Sequence, residues 1–90
     1  MTEDLQMRFE QAAKDVTTLS QPPENDAMLK LYGMYKQATK GDCSGARPGM
    51  LDFVGRAKYD AWKELSGKTQ DEAKQMYISF VDNLVAQDNK

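Results

Sequence analysis

The chain has no histidine and a single cysteine, Cys43, which removes most of the side chains that catalysis and metal binding draw on. Without histidine there is no Ser-His-Asp triad and no imidazole zinc ligand, and one thiol closes no disulfide within the chain. Neither an enzyme nor a metal or other cofactor is therefore expected. Long apolar runs are also missing: nothing approaches the ~20 residues that cross a bilayer, so no stable membrane insertion is expected. Charge is nearly balanced, 12 basic against 14 acidic residues, for a net charge of −2. That leaves no broad positive field for a phosphate backbone, and nucleic acid is not an expected partner. The start, Met1 to Asp4, is acidic and leads into amphipathic sequence, unlike the basic opening and apolar centre of a secretion signal. The expected location is cytoplasmic.

What is present is enough for one small folded module. Ninety residues, 40% hydrophobic and 29% charged, fit a single domain over residues 1–90 and leave no room for a second core. Leu5, Phe9, Ala12, Val16 and Leu19 recur at helical steps, predicting a first helix from about Thr2 to Thr18, with Thr2 as N-cap and Glu3 and Asp4 at the positive end of its dipole. Pro22 and Pro23 interrupt the pattern. Met28, Leu31, Tyr32, Tyr35 and Ala38 predict a second helix over Asn25 to Lys40, with Gly41 as its stop. The stretch from Gly41 to Gly49, with three glycines and a proline, reads as an irregular connection long enough for a parallel or crossing return. A third helix, from about Asp52 to Leu65, would bury Phe53 or Val54 with Ala57, Ala61, Trp62 and Leu65. Thr69 followed by Glu72 reads as a capping box for a fourth helix ending near Gln87, with a stripe of Ala73, Met76, Tyr77, Phe80, Val81, Leu84 and Val85. With no two-residue alternation anywhere, the expectation is all-α, four helices and no sheet. The stripes are used up by such a core, so a monomer is expected.

The most function-like residues are Tyr32, Tyr35 and Lys36, which helical spacing places on one side of the second helix. Aromatics at that spacing usually belong to a core and a lone lysine is usually solvated, yet rings beside an ammonium group also suit a flat base carrying phosphate. Lys58 gains meaning only in combination. If the second and third helices lie side by side, Lys36 and Lys58 could converge on one phosphate, with the Tyr77 hydroxyl closing the site. The glycines of the long connection lack the Gly-Lys-Ser/Thr ending and preceding strand of a phosphate loop. Cys43 has no histidine to activate it, and Asp60, Glu64, Asp71 and Glu72 read as solvated faces and caps.

The string LYGMYKQATKGDCSGARPGMLDFVGRAKYDAWKEL, from Leu31 to Leu65, resembles the pattern of the acyl-CoA-binding protein family. That pattern has a tyrosine before Y/F-K-Q-A-T-x-G-D, then R-P-G, a leucine-aspartate step and K/R-A-K-W/Y-x-A-W. Phe9 with Ala12 and Ala13, Met28 with Leu29, and Tyr77 agree as well, so the resemblance runs from about Leu5 to Leu84. It implies an up-down-down-up four-helix bundle that binds long-chain acyl-CoA thioesters, and carries them without catalysis. By the resemblance, Tyr32 would stack on adenine, Lys36 and Lys58 would hold the ribose phosphate with the Tyr77 hydroxyl, and Tyr35 would line the same site. Ala13 would bring backbone close to the base, and Met28 would border the acyl groove. Thr17 and Val54 depart from the family, standing where lysines are often found, and Tyr59 replaces the commoner tryptophan. The resulting expectation is an intracellular acyl-CoA carrier and pool former, touching acyl-CoA-using enzymes transiently. The alternatives are a helical protein-interaction module and an acyl-CoA-binding domain excised from a larger enzyme.

Overall fold

The computed structural model describes residues 2–88, with side chains from Asp4 onward. Four helices form, α1 (Thr2–Asp15), α2 (Asn25–Lys40), α3 (Phe53–Lys63) and α4 (Gln70–Asp88), and no strand occurs among the described residues. A 3-10 turn, Val16–Thr18, continues α1 and completes the expected first segment. The cap expected from Thr2 and the side chain of Glu3 lie outside the described side chains. α2 has the bounds its sequence predicts, and Gly41, at φ 83°, ends it by returning its N–H to the Gln37 carbonyl at 3.1 Å. The capping box is made in full. Thr69 Oγ1 accepts the Glu72 N–H at 3.0 Å, and Glu72 Oε1 accepts the Thr69 N–H at 2.9 Å.

The expected third helix is shorter at both ends. Asp52 stands outside α3 as its N-cap, accepting the Gly55 N–H at 2.9 Å. At the other end the chain tightens, with the Leu65 N–H on the Trp62 carbonyl and the Ser66 N–H on that of Lys63, both at 3.0 Å.

The helices lie in a slab of 39 × 32 × 15 Å whose backbone neighbours run α1, α4, α2, α3. Ser20 binds the Asp88 carboxylate through N–H and hydroxyl, so α1 and α4 finish at the same pole. Gln70 Nε2 donates to the Thr39 carbonyl, so α4 begins where α2 ends. The arrangement is up-down-down-up. Its core is Leu5, Phe9 and Ala12 from α1, Leu31, Met34 and Ala38 from α2, and Ala73, Tyr77, Ile78 and Val81 from α4. α4 lies between two neighbours, so its buried arc widens past the predicted stripe to take in Ile78, while Met76, Phe80, Leu84 and Val85 are only half-buried.

The burial expected of α3 does not occur. Phe53 is 74% exposed and Val54 65%, while Ala57, Ala61, Trp62 and Leu65 are half-buried. The reason is position: among the helices α3 packs only against α2, at the edge of the slab, so a single neighbour covers it.

Candidate functional site

α2 and α3 approach so closely that a Cβ on Gly33 would stand 2.6 Å from the Ala61 carbonyl oxygen. This close passage, available because Gly33 has no side chain, lets the two helices exchange long side chains across their seam. Lys58 Nζ of α3 lies 5.4 Å from the centroid of the Tyr32 ring of α2. One turn further, the direction reverses, with Lys36 Nζ of α2 over the Trp62 ring of α3 at 4.8 Å. Both pairs advance by four residues in the same sense, as parallel helices require. Among the described residues the ion pairs are Arg47–Asp60 and Lys74–Asp71, and neither Lys36 nor Lys58 has a carboxylate partner.

Tyr35 turns the other way. Its ring stacks on Phe9 of α1, centroids 5.4 Å apart, and Tyr77 of α4 meets Phe9 edge-on at 5.1 Å. The trio expected to share one side of α2 is thus divided: Lys36 faces α3, Tyr35 faces α1 and α4, and Tyr32 stands between them. Tyr77 is buried to 5% exposure, which pushes its phenol above the usual range with Tyr35 adding to the effect, so it stays neutral and able to donate.

Two apolar cavities open beside these residues. The first, about 470 Å³, is lined by Tyr32, Tyr35 and Tyr77 at one side and by Val16, Leu19, Pro22, Pro23 and Leu31 elsewhere. The second, about 360 Å³, lies over the α2–α3 seam between Asn25, Leu29, Phe53, Val54, Ala57 and Lys58. Met28, 50% exposed, lines both. Such a shape, apolar walls with the Lys58 ammonium and several hydroxyls at the margin, suits an amphiphile with an anionic end. Ala13 is half-buried against the core and does not line either cavity.

The connection between α2 and α3 is tied down by α3 itself. Arg47 grips Asp60 through both Nε and Nη2, at 2.9 and 2.6 Å, the Tyr59 hydroxyl donates to the Gly45 carbonyl at 2.9 Å, and Trp62 Nε1 donates to that of Gly41 at 2.8 Å. The guanidinium holds the Asp60 carboxyl below the usual carboxylate range. At the same pole Asp42 Oδ1 accepts the Gly67 N–H at 2.9 Å and Gln37 Nε2 at 2.8 Å, which lowers its pKa as well.

The model of the acyl CoA binding protein family matches residues 6–81. Acyl-CoA-binding protein 2 of Saccharomyces pastorianus is 47% identical over 78 residues, covering 87% of this chain and 90% of that protein. A Drosophila melanogaster acyl-CoA-binding protein homolog is 46% identical over 79 residues, covering 88% and 92%. The crystal structure of Oryza sativa acyl-CoA-binding protein 2 superposes with a TM-score of 0.94 at 39% identity, covering 99% of this chain and 97% of that one. The chain belongs to the acyl-CoA-binding protein family.

Within this member of the acyl-CoA-binding protein family, the sequence pattern did not single out every residue around the cavities. Pro22 and Pro23, which served only as helix breakers, form a wall of the first cavity. Trp62, expected as core, is half-buried and underlies a lysine. A signal was present: Lys36 and Trp62 occupy equivalent steps of two segments whose parallel run the long connection allows. Thr17 lines the first cavity, with its hydroxyl donating back to the Lys14 carbonyl at 2.6 Å.

Proposed function

We propose that this chain binds long-chain fatty acyl-CoA thioesters as a single domain spanning 1–90 and serves as a carrier and pool former, without catalysing a reaction. The observation that carries the reading is the pairing of Lys58 with Tyr32 at the margin of two apolar cavities joined at Met28. A base stacked on Tyr32 brings its ribose phosphate to the Lys58 ammonium, with Lys36 a turn away on the same seam. Tyr35 and the neutral Tyr77 phenol bound the headgroup, and the Ala13 segment of α1 approaches the base. Each charge-assisted bond contributes ~1.5–3 kcal/mol.

The acyl chain runs from Met28 along Leu29, Ala57, Val54 and Phe53, covering apolar surface that is otherwise exposed. Val54 thereby exchanges the charge of the commoner lysine for a methyl-lined wall, favouring the tail at the expense of the phosphates. Each added methylene contributes ~0.8 kcal/mol, less ordering cost, until the groove is filled. Holding the tail also lowers the free concentration of a detergent-like molecule. The protein works as a cytoplasmic monomer and meets acyl-CoA-using enzymes transiently.

Native mass spectrometry of the purified protein should reveal co-purified acyl-CoA, and calorimetry should show affinity rising from short to long chains before levelling. Affinity independent of chain length would remove the groove from this reading.

A further inference from the structure

Lysines that bind phosphate face a conflict: they must be held in place, yet the usual holder, a carboxylate, neutralises the charge the phosphate needs. In this chain aromatic faces stand where carboxylates would. Lys36 Nζ is 4.8 Å from the Trp62 centroid, with no carboxylate partner among the described residues, and Lys36 itself is half-buried in the seam. An aromatic quadrupole attracts a cation while carrying no net charge, so it fixes the ammonium and leaves its positive charge undiminished. Trp62 is in turn fixed, its indole N–H donating to the Gly41 carbonyl at 2.8 Å. It lines neither cavity.

We infer that Trp62 is a positioning residue for phosphate recognition: it touches no ligand, but parks the Lys36 ammonium at the site with its charge unspent. The inference rests on the acyl-CoA reading above. Lys58 on Tyr32 is the companion rung, but its ring is one the ligand itself would stack on, so of the two rings along the α2–α3 seam it is Trp62 that acts on a lysine alone.

The test is a double-mutant cycle read by calorimetry with a long-chain acyl-CoA and its 3′-dephospho analogue. Trp62→Leu and Trp62→Phe, which both lose the indole N–H, are each made in the parent and in Lys36→Met. Trp62→Leu should lower affinity for the phosphorylated ester about three- to tenfold, the scale of one cation–π contact. It should leave the dephospho ester nearly unaffected, and Phe should restore much of the loss. In the Lys36→Met background the Leu variant should cost nothing further. Equal losses in both backgrounds, or for both esters, would overturn the inference and leave Trp62 as packing alone. Should Trp62→Leu not fold, the emission of the single tryptophan decides: Lys36→Met should shift it without ligand, and an unshifted spectrum would overturn the inference. A parent protein that binds neither ester removes the acyl-CoA reading itself, whereas binding with an additive cycle removes only the role of Trp62.

Discussion

The two long sides of α2 are built in opposite ways. Toward α4 and α1 it presents Leu31, Met34 and Ala38 to a closed core where Val81 and Ala73 are fully buried. Toward α3 it presents a glycine, a tyrosine and a lysine, and the partner helix contributes no buried residue. One side excludes water and holds the fold together; the other is held by the close passage at Gly33 and a tethered loop, with cation–π pairs across it and apolar surface left open. A small domain has apolar area to spare for only one such core, so leaving the α3 side unfilled concentrates stability on the α1–α2–α4 side.

The strongest way to break this division is a cavity in the closed side. Ile78→Ala should cost about 2–5 kcal/mol of stability, measured by denaturant unfolding. Its effect on acyl-CoA affinity, corrected for the folded fraction, should stay within a few-fold. An affinity loss as large as the stability loss would mean that the two sides are not separable.

The converse comes from the open side. Lys58→Ala should weaken acyl-CoA binding by ~1.5–3 kcal/mol and flatten its salt dependence, because an exposed cation on a ring contributes to phosphate contact more than to folding. The unfolding midpoint should scarcely move. A stability loss matching the affinity loss would place Lys58 among the structural residues.

These outcomes also mark what the sequence alone could tell. The bounds of α2 and the capping box of α4 were legible because periodicity and caps act over a few neighbours, and Gly41 and Thr69 signal locally. The burial of α3 was not, because its apolar positions repeat as regularly as those of α1, and periodicity does not say how many neighbours a helix has. Gln37 is the reverse case, a polar residue at 0% exposure that no apolar stripe would include. Its Nε2 donates to both Asp42 and the Lys68 carbonyl, the latter across 31 residues of chain, while its Oε1 has no partner among the described residues. At the candidate site, helical steps grouped Tyr32, Tyr35 and Lys36 and the family resemblance added Lys58, but the division of Tyr35 from Lys36 depends on which helices flank α2.

A subtler probe separates the seam from the fold without removing a charge. In Gly33→Ala the new methyl meets the Ala61 carbonyl, an overpacking worth ~1–3 kcal/mol, against which the better helix propensity of alanine returns ~1 kcal/mol. Net stability should fall little, by about 0–2 kcal/mol, yet α3 must move outward and carry Lys58 from Tyr32. Acyl-CoA affinity should drop about tenfold, on the scale of losing one cation–π or charge-assisted contact. Unchanged affinity would show that the seam adapts freely.

The smallest effect expected lies at the pole where both sides of α2 end. Asp42 is held below its ordinary value of 3.8 by the Gly67 N–H first and Gln37 second. A carboxylate depressed in the folded state contributes stability that is present above the unfolded value and lost as pH falls through the lower, folded one. Stability should therefore hold at neutral pH and decline only in the acid range below about 4, as Asp42 and the similarly depressed Asp60 and Glu72 take up protons. Asp42→Asn should make that decline shallower while lowering stability slightly at neutral pH, as unfolding across a pH series would report. Since Asp42 and Asp60 bind at the loops that flank α3 and Glu72 at the cap of α4, not between the aromatic rings and the lysines, acid should loosen these loops and this cap before it disturbs the core. A pH profile unchanged by Asp42→Asn would shift the acid sensitivity to Asp60 and Glu72, and with it the point at which the open side first comes apart.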